Sequence, residues 1–439
     1  MPATELRNRI AEHVESIALV NTHDHLTRED YRVAEPADLL SLWFLHYASS
    51  DLVSSGMPPQ DLEQMRDPRQ PLEKRWRIFQ PYWERIRNTA YAKALLIAAR
   101  DLYGIDDINR RTYRALSEGI AAANRKGRYR EIYKRAGIEV AIWDVLDPRP
   151  ESIDTAIFAP TIRLDNFIGA RSRGEVAGLA AISGVDIHNF DDHLRALNAH
   201  IDRHARTIFA IKIGVAYWRP LRFERVGRGE AEAVFNRVMA DLSQGVSMEE
   251  ARPLQDYLMH HIVCRAIDHD LTIQIHTGIQ EGNANLITNS NPTLLSNLLL
   301  EYPQARFDLF HASYPYWREL GLLAKVFANA FADLCWVPTI SPRVLRTALE
   351  EWIETVPGNK VSAFGADYIF VDGSYAASRM ARQAVTDALC NKIEEGYLDE
   401  DEAAGLAAKY LRENPWALFG LDRWRRQRRK PPSRAKTRR

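Results

Sequence analysis

At 439 residues, 46% hydrophobic and 26% charged, with 58 basic and 58 acidic side chains, the chain has the composition of an ordinary globular protein. The zero net charge conceals an asymmetry, because residues 422–439 carry ten Lys/Arg and one Asp and leave the remainder at −9. That acidic body argues against a nucleic-acid binder, three scattered cysteines (Cys264, Cys335, Cys390) against a disulfide framework, and the lack of any apolar run near about 18 residues against a membrane span.

The first sixteen residues alternate charged and apolar side chains without the apolar stretch of a signal peptide, so the expected location is cytoplasmic. Residues 17–20 are a first β-branched run, leading into Asn21-Thr22-His23-Asp24-His25. A long segment, 35–135, follows before the next strand. It is rich in aromatics and helix formers, with helical patterns at 39–47, 76–87, 91–103 and 109–126. Ordinary βα loops are only a few residues long, so this segment reads as a helical insertion above the catalytic face. Further strands are expected at 137–143 (ending at Asp147-Pro148), 155–164, 208–213, 271–277, 306–311, 330–336 and 361–367. Amphipathic helices are expected at 191–204, 248–269, 293–301, 343–355 and 374–395. Eight strands with intervening helices predict an α/β protein, a (β/α)₈ TIM-like barrel over residues 1–421 with the insertion after strand 1. Residues 422–439 read as a basic, disordered tail.

The chemistry is expected where strands end. Side chains two apart on a strand share a face, so His23 and His25 project together and Asp24 points elsewhere. His276 ends the fifth strand, His311 the sixth and Asp367 the eighth, the places where barrel enzymes carry catalytic groups. The predicted metal ligands are His23, His25, His276 and Asp367, holding one divalent ion. Imidazoles with a carboxylate suit Zn²⁺, with Mn²⁺ and Fe²⁺ as alternatives. Asp367 is also read as the proton acceptor of an activated water, and His311 as a further ligand or an acid/base group. Lys212 lies inside an apolar strand. With Arg163 and Arg219 it is a candidate for binding a substrate carboxylate, the alternative for all three being ordinary structural ion pairs. His46 and Tyr47 belong to the insertion and are candidates to reach the cleft. His193, His200 and His204 lie on a polar helical stretch and are read as surface residues. No nucleotide-binding or serine-nucleophile motif is present.

The order HxH, His, His, Asp on strands one, five, six and eight resembles the amidohydrolase superfamily. The block Ile275-His276-Thr277-Gly278-Ile279-Gln280-Glu281, with Asn291-Pro292, residues 307–311 and Ser313-Tyr314-Pro315-Tyr316, resembles its amidohydrolase-related branch, which includes the domain fused to glutamine synthetase-like proteins. Thr22-His23-Asp24-His25-Leu26 with Leu42-Trp43 and His46-Tyr47 is similar to uronate isomerases, which carry a long helical insert there. The resemblance covers the chain to about residue 421. It implies a metal-dependent enzyme acting on a small molecule, in a group that hosts hydrolases, decarboxylases and isomerases on one metal site. Hydrolysis is the leading expectation. A decarboxylase, a uronate isomerase and a metal-retaining binding protein without catalysis are the alternatives. In two-metal relatives a carboxylated lysine on the fourth strand bridges the ions, a further role open to Lys212. A homo-oligomer is compatible with such barrels.

Overall fold

The computed structural model describes residues 3–144, 153–240 and 245–429. The end of the predicted second strand, Asp147-Pro148, and residues 430–439 of the tail lie outside that range. Eight strands run in sequence order around one sheet: β1 (Leu19–Asp24), β2 (Ile138–Trp143), β3 (Phe158–Arg163), β4 (Ala210–Ile213), β5 (Thr272–His276), β6 (Phe307–Phe310), β7 (Ala330–Asp333) and β8 (Val361–Ser362). Every adjacent pair from β1:β2 to β7:β8 is parallel. The ring is completed by backbone bonds between the segment after β8 and β1, Thr22 N–H to Phe364 O at 3.1 Å and Asp367 N–H to His23 O at 2.9 Å. The eighth strand is therefore shorter as a ladder than its expected 361–367, yet the predicted stretch still lies along β1.

The strands β1, β4, β5 and β6 are buried at every residue. This is the pattern of parallel strands with helices outside and a filled interior within, and it explains their continuous rather than alternating apolar sequence. Helices Phe190–His204, Met248–Asp268, Pro342–Thr355 and Val371–Glu394 cover the outside close to their expected positions. The stretch 293–301 is divided into a 3₁₀ turn, Pro292–Leu295, and a short helix, Ser296–Glu301. The expectation of surface histidines fails on helix Phe190–His204. His193, His200 and His204 are all buried, and His193 packs edge-on against Phe167 and Phe235. They lie on the helix's inward stripe, and the polar look of the segment comes from its opposite face.

The long segment after β1 is helical, as expected: Leu39–Leu42, Ala48–Ser54, Pro59–Arg66, Leu72–Ile86, Ala90–Tyr103, Tyr113–Ala123 and Arg128–Ala136. It has an aromatic core of its own, with Phe44, Phe79 and Trp83 in mutual contact. The insertion meets the barrel at the carboxyl ends of the strands. Trp43 Nε1–H donates to Asp372 Oδ2 at 3.2 Å, and the Tyr47 hydroxyl donates to the carbonyl of Asp367.

At the opposite mouth the barrel is closed by the segment after β8. Leu418, Phe419, Leu421 and Trp424 pack with Val20, Val140, Ile142, Ala159, Phe209 and Ala210. Thr272 Oγ1–H donates to Leu418 O at 2.6 Å, and Trp424 Nε1–H to Thr155 O at 3.0 Å. Residues 422–429, predicted as part of a disordered tail, form a helix. The charge count misled because Trp424, the one large apolar residue there, is 2% exposed, and Arg423 caps the Ala205 carbonyl at 3.0 Å.

Candidate metal centre

Four imidazoles project at the carboxyl ends of β1, β5 and β6, and in each one nitrogen is committed to a neighbouring oxygen. Gln274 spends its amide N–H groups on Thr22 O and Asp308 Oδ2, both at 2.9 Å, so its Oε1 is left to accept from His23 Nδ1–H at 3.3 Å. His25 Nδ1–H faces Asp144 O at 3.4 Å, His311 Nδ1–H faces Cys335 O at 3.2 Å, and His276 Nε2–H faces Ile279 O at 2.8 Å. The free lone pairs are thereby His23 Nε2, His25 Nε2, His311 Nε2 and His276 Nδ1. Such an outer partner on the far nitrogen is the usual way to aim a ligating histidine.

These lone pairs converge. His23 Nε2 lies 3.2 Å from His25 Nε2, and Asp367 Oδ1 is 3.2 Å from His25 Nε2 and 3.7 Å from His23 Nε2. Across the cleft His311 Nε2 is 3.2 Å from His276 Nδ1 and 3.8 Å from Asp367 Oδ2. Burial, reinforced by neighbouring positive groups, pushes His23, His276 and His311 well below the usual imidazole range and His25 to about 4. All four are therefore neutral and able to ligate at neutral pH. Burial also raises the Asp367 carboxyl to about 8, against the Tyr47 hydrogen bond and the Lys212 charge, and its Oδ1 is buried without a hydrogen-bond donor. A divalent cation answers both features at once. It satisfies the orphan oxygen, separates two lone pairs otherwise facing each other, and restores the carboxylate. Donor atoms of His23, His25 and Asp367 all lie within 4.8 Å of one another. His276, the fourth expected ligand, stands on the other side of the cleft against His311.

Local backbone geometry serves this placement. His311 (φ 67°), Trp336 (φ 66°) and Asp367 (φ 59°) all adopt the left-handed region just past their strands. For non-glycine residues such strain is held only where surrounding structure over-determines it, commonly at functional sites. Asp24 turns away, as its place between two histidines requires. Its Oδ2 accepts from Asn21, Tyr133 and Ser374 at 2.7–2.8 Å.

The other sequence candidates separate. Lys212 is 1% exposed and joins the cluster; burial, then the Arg163 charge, lowers its ammonium to about 8. Its Nζ lies 4.1 Å from the Phe310 ring centroid. Arg163 reaches the cleft paired to Asp144. Arg219 does not reach it. Its guanidinium is spent on Gln255 at 3.0 Å and Asp256 at 2.5 Å of helix Met248–Asp268, so the ion-pair alternative holds and a substrate contact is excluded by commitment of the donors. His46 and Tyr47 both arrive over the site. Their rings lie 3.8 Å apart, and Tyr47 stacks on Trp336 at 4.3 Å. Sequence reasoning missed Asp144, directly after β2. Its Oδ2 lies 3.7 Å from His23 Nε2 and from His25 Nδ1. Burial works to raise this carboxyl, but Arg163, His25 and Lys212 together hold it below the ordinary value. Its signal was its place after the apolar run ending at Trp143, the same rule that picked out Asp367.

Residues 182–421, more than half of the chain, match the family described as Amidohydrolase. Protein fluG of Emericella nidulans is 30% identical over 207 residues, 46% of this chain and 23% of that protein, so the chain spans less than a quarter of that relative. A uronate isomerase of Rhizorhabdus wittichii is 25% identical over 440 residues, 91% of this chain and 92% of that one. The solved glucuronate isomerase of Caulobacter crescentus shares the fold at a TM-score of 0.77 and 18% identity, over 98% of this chain and 96% of that one. The family match takes in β4 through β8 and hence His276, His311 and Asp367, and the eight-stranded parallel barrel frames them as that fold does; the chain belongs to the amidohydrolase family.

Proposed function

We propose that the protein is a metal-dependent hydrolase of a small, carboxylate-bearing molecule. The observation that carries this reading is Lys212, an ammonium buried beside the histidine cluster with no ion pair to any described residue. Its neighbours are the Phe310 face and, beyond ion-pair distance, the carboxylates of Asp144, Asp165 and Asp367, so a substrate carboxylate would supply the direct partner that a buried cation needs. Arg163, already neutralised by Asp144, adds donors at the rim.

His23, His25 and Asp367 Oδ1 would hold the ion, with His276 facing them across the cleft beside His311. Zn²⁺ fits this donor set, and Mn²⁺ or Fe²⁺ also suit it. Bound there, a divalent ion supplies Lewis acidity toward a carbonyl and makes water a nucleophile near neutral pH. Asp367 divides its labour. Oδ1 faces the β1 imidazoles, while Oδ2 faces His311 and takes the proton of the attacking water. His311 Nε2, 3.8 Å from that oxygen, carries it toward the leaving group. Tyr47 fixes the Asp367 backbone from above, and with His46 it roofs the cleft against bulk water. A second reading, aldose–ketose isomerisation of a uronate, is favoured by the likeness to a uronate isomerase over 91% of the chain, insertion included. Asp367 and His311 would then move a proton between adjacent carbons.

The test is product analysis by NMR in D₂O. Metal-loaded protein is given a panel of carboxylate-bearing amides and lactones alongside glucuronate and galacturonate. Hydrolysis releases an acid with an amine or alcohol. A ketose product carrying solvent deuterium would replace the hydrolase reading with the isomerase one. On the substrate found, Lys212→Met should raise KM about 10–100-fold at unchanged metal content, the loss expected of one charge-assisted hydrogen bond. An unchanged KM would remove Lys212 from substrate binding.

A further inference from the structure

Below the four imidazoles the barrel interior holds two carboxylates with no part in the chemistry above. Asp308 lies on β6 and Asp333 ends β7, and both are fully buried. Asp308 stands opposite Phe331 in the β6:β7 register, so Asp333, two residues further along β7, shares its face of the sheet. Each has one oxygen in use and one without a partner. Asp308 Oδ2 accepts from Gln274 Nε2 at 2.9 Å, and Asp333 Oδ1 accepts from the Cys335 N–H at 2.7 Å. Asp308 Oδ1 and Asp333 Oδ2 are buried and meet no donor among the described residues, the neighbouring Thr22 hydroxyl being spent on Phe364 O at 3.1 Å. Burial drives both carboxyls up, Asp308 to about 7 and Asp333 further under the added charge of its neighbour. Two such groups cannot both ionise in a low-dielectric interior, and one proton held between them supplies the missing donor.

The oxygens in use lead to opposite sides of the cleft. From Asp308 the path runs through Gln274, whose amide donates to Asp308 Oδ2 and to Thr22 O and thereby presents Oε1 to His23 Nδ1–H at 3.3 Å. From Asp333 it runs through the Asx turn that holds the Cys335 peptide, whose carbonyl accepts from His311 Nδ1–H at 3.2 Å. We infer that Asp308 and Asp333 share one proton and act as a common anchor, positioning His23 of the metal site through Gln274 and His311 through the Cys335 main chain. Without Asp308, the Gln274 amide loses one of the two acceptors that fix its orientation. Turned over, it would present N–H to His23 Nδ1 and favour the tautomer with no lone pair toward the ion. Loss of an outer partner of this kind costs metal affinity about 10–100-fold. The Lys212 charge favours the one carboxylate that remains on the pair. The inference rests on the metal site proposed above and not on the reaction assigned to it.

The test reads metal affinity and needs no substrate. Zn²⁺ affinity of the full-length protein is measured by competition with a chelator, and the Co²⁺ form is followed by its visible d–d bands, which report ligand geometry. Asp308→Leu and Gln274→Met should each bind about 10–100-fold more weakly, and the double variant no more weakly than Gln274→Met, since both break one path. Asp308→Asn can stand in for the protonated carboxyl, accepting from Gln274 and donating to Asp333, so it should bind within about threefold of the parent with an unchanged cobalt spectrum. Should Asp308→Leu not fold, Gln274→Met against Asp308→Asn reads the same path. Histidine-selective ¹⁵N spectra read the other: His311 should keep its Nδ1–H form in Asp333→Asn and become a mixture of tautomers in Asp333→Ala. The infrared difference between metal-loaded parent and Asp308→Asn should contain the C=O band of a protonated carboxyl. Parental affinity in Gln274→Met, additive losses in the double variant, a His311 spectrum indifferent to Asp333→Ala, or a missing carboxyl band would each overturn the anchor. A parent that binds no metal would remove the site and the anchor with it, whereas a metal-binding parent with indifferent variants overturns the anchor alone.

Discussion

Asp367 carries two duties at the scale of a single side chain, and they can be separated. Asparagine keeps an oxygen that approaches the ion but cannot take a proton at neutral pH. Asp367→Asn should therefore retain most of the metal while kcat falls about 10²–10⁴-fold with little change in KM. Kinetics paired with metal analysis checks this, and a metal-loaded variant within tenfold of the parent would transfer the base role to His311. The residues of this site differ in how legible they are from local pattern alone. His23, His25, His276, His311 and Asp367 stood out because each ends an apolar run. Asp144 obeys the same rule but lay next to a strand end set too late, at Asp147. Cys335 carried no signal, since its carbonyl matters only once His311 arrives from another strand. Arg219 was a false lead because its partners, Gln255 and Asp256, sit on a helix some 36 residues away in the chain.

At the scale of elements, the strands and the helical insertion were visible because their periodicities differ, whereas the inward stripe of helix Phe190–His204 was hidden by histidines counted as polar. That stripe has a measurable consequence. Burial lowers His193 to about 4, against roughly 6.5 in an unfolded chain. Between those values the unfolded chain binds a proton that the native state refuses, so this residue's share of stability is intact above about pH 6.5 and is lost as pH falls toward 4. His200, lowered to about 4 by burial and by His204, acts in the same direction. His193→Phe, a neutral ring that can meet Phe167 and Phe235, should flatten the acid limb of a Tm-against-pH curve over that window. Parallel curves for parent and variant would show that His193 does not titrate on unfolding. The insertion reaches the active cleft through a few aromatic contacts, chiefly Tyr47 on Trp336 and on Tyr368. Which of its residues would arrive there could not be read from helical pattern alone.

For the whole molecule, the barrel is capped at one mouth by the insertion and at the other by residues 414–424. Trp424 sits in the second cap, buried and bonded to the Thr155 and Phe158 carbonyls. Trp424→Ala should cost about 3–5 kcal/mol, as expected for a large aromatic removed from a core, and lower Tm by several degrees. Calorimetry would measure this, and a shift under about 1 °C would mean that the cap contributes little to stability. The same arrangement bears on how the protein is made. Val20 of β1 and Phe209 beside β4 are synthesised long before Leu418, Phe419 and Trp424, yet these later residues are what shields them. While the ribosome is still translating the last third of the chain, the floor of the barrel is an uncovered apolar ring on a nascent polypeptide. Chaperone engagement should be prolonged until that segment emerges from the exit tunnel, and a stall or premature stop before it would release a chain with eight strands and an open, sticky base.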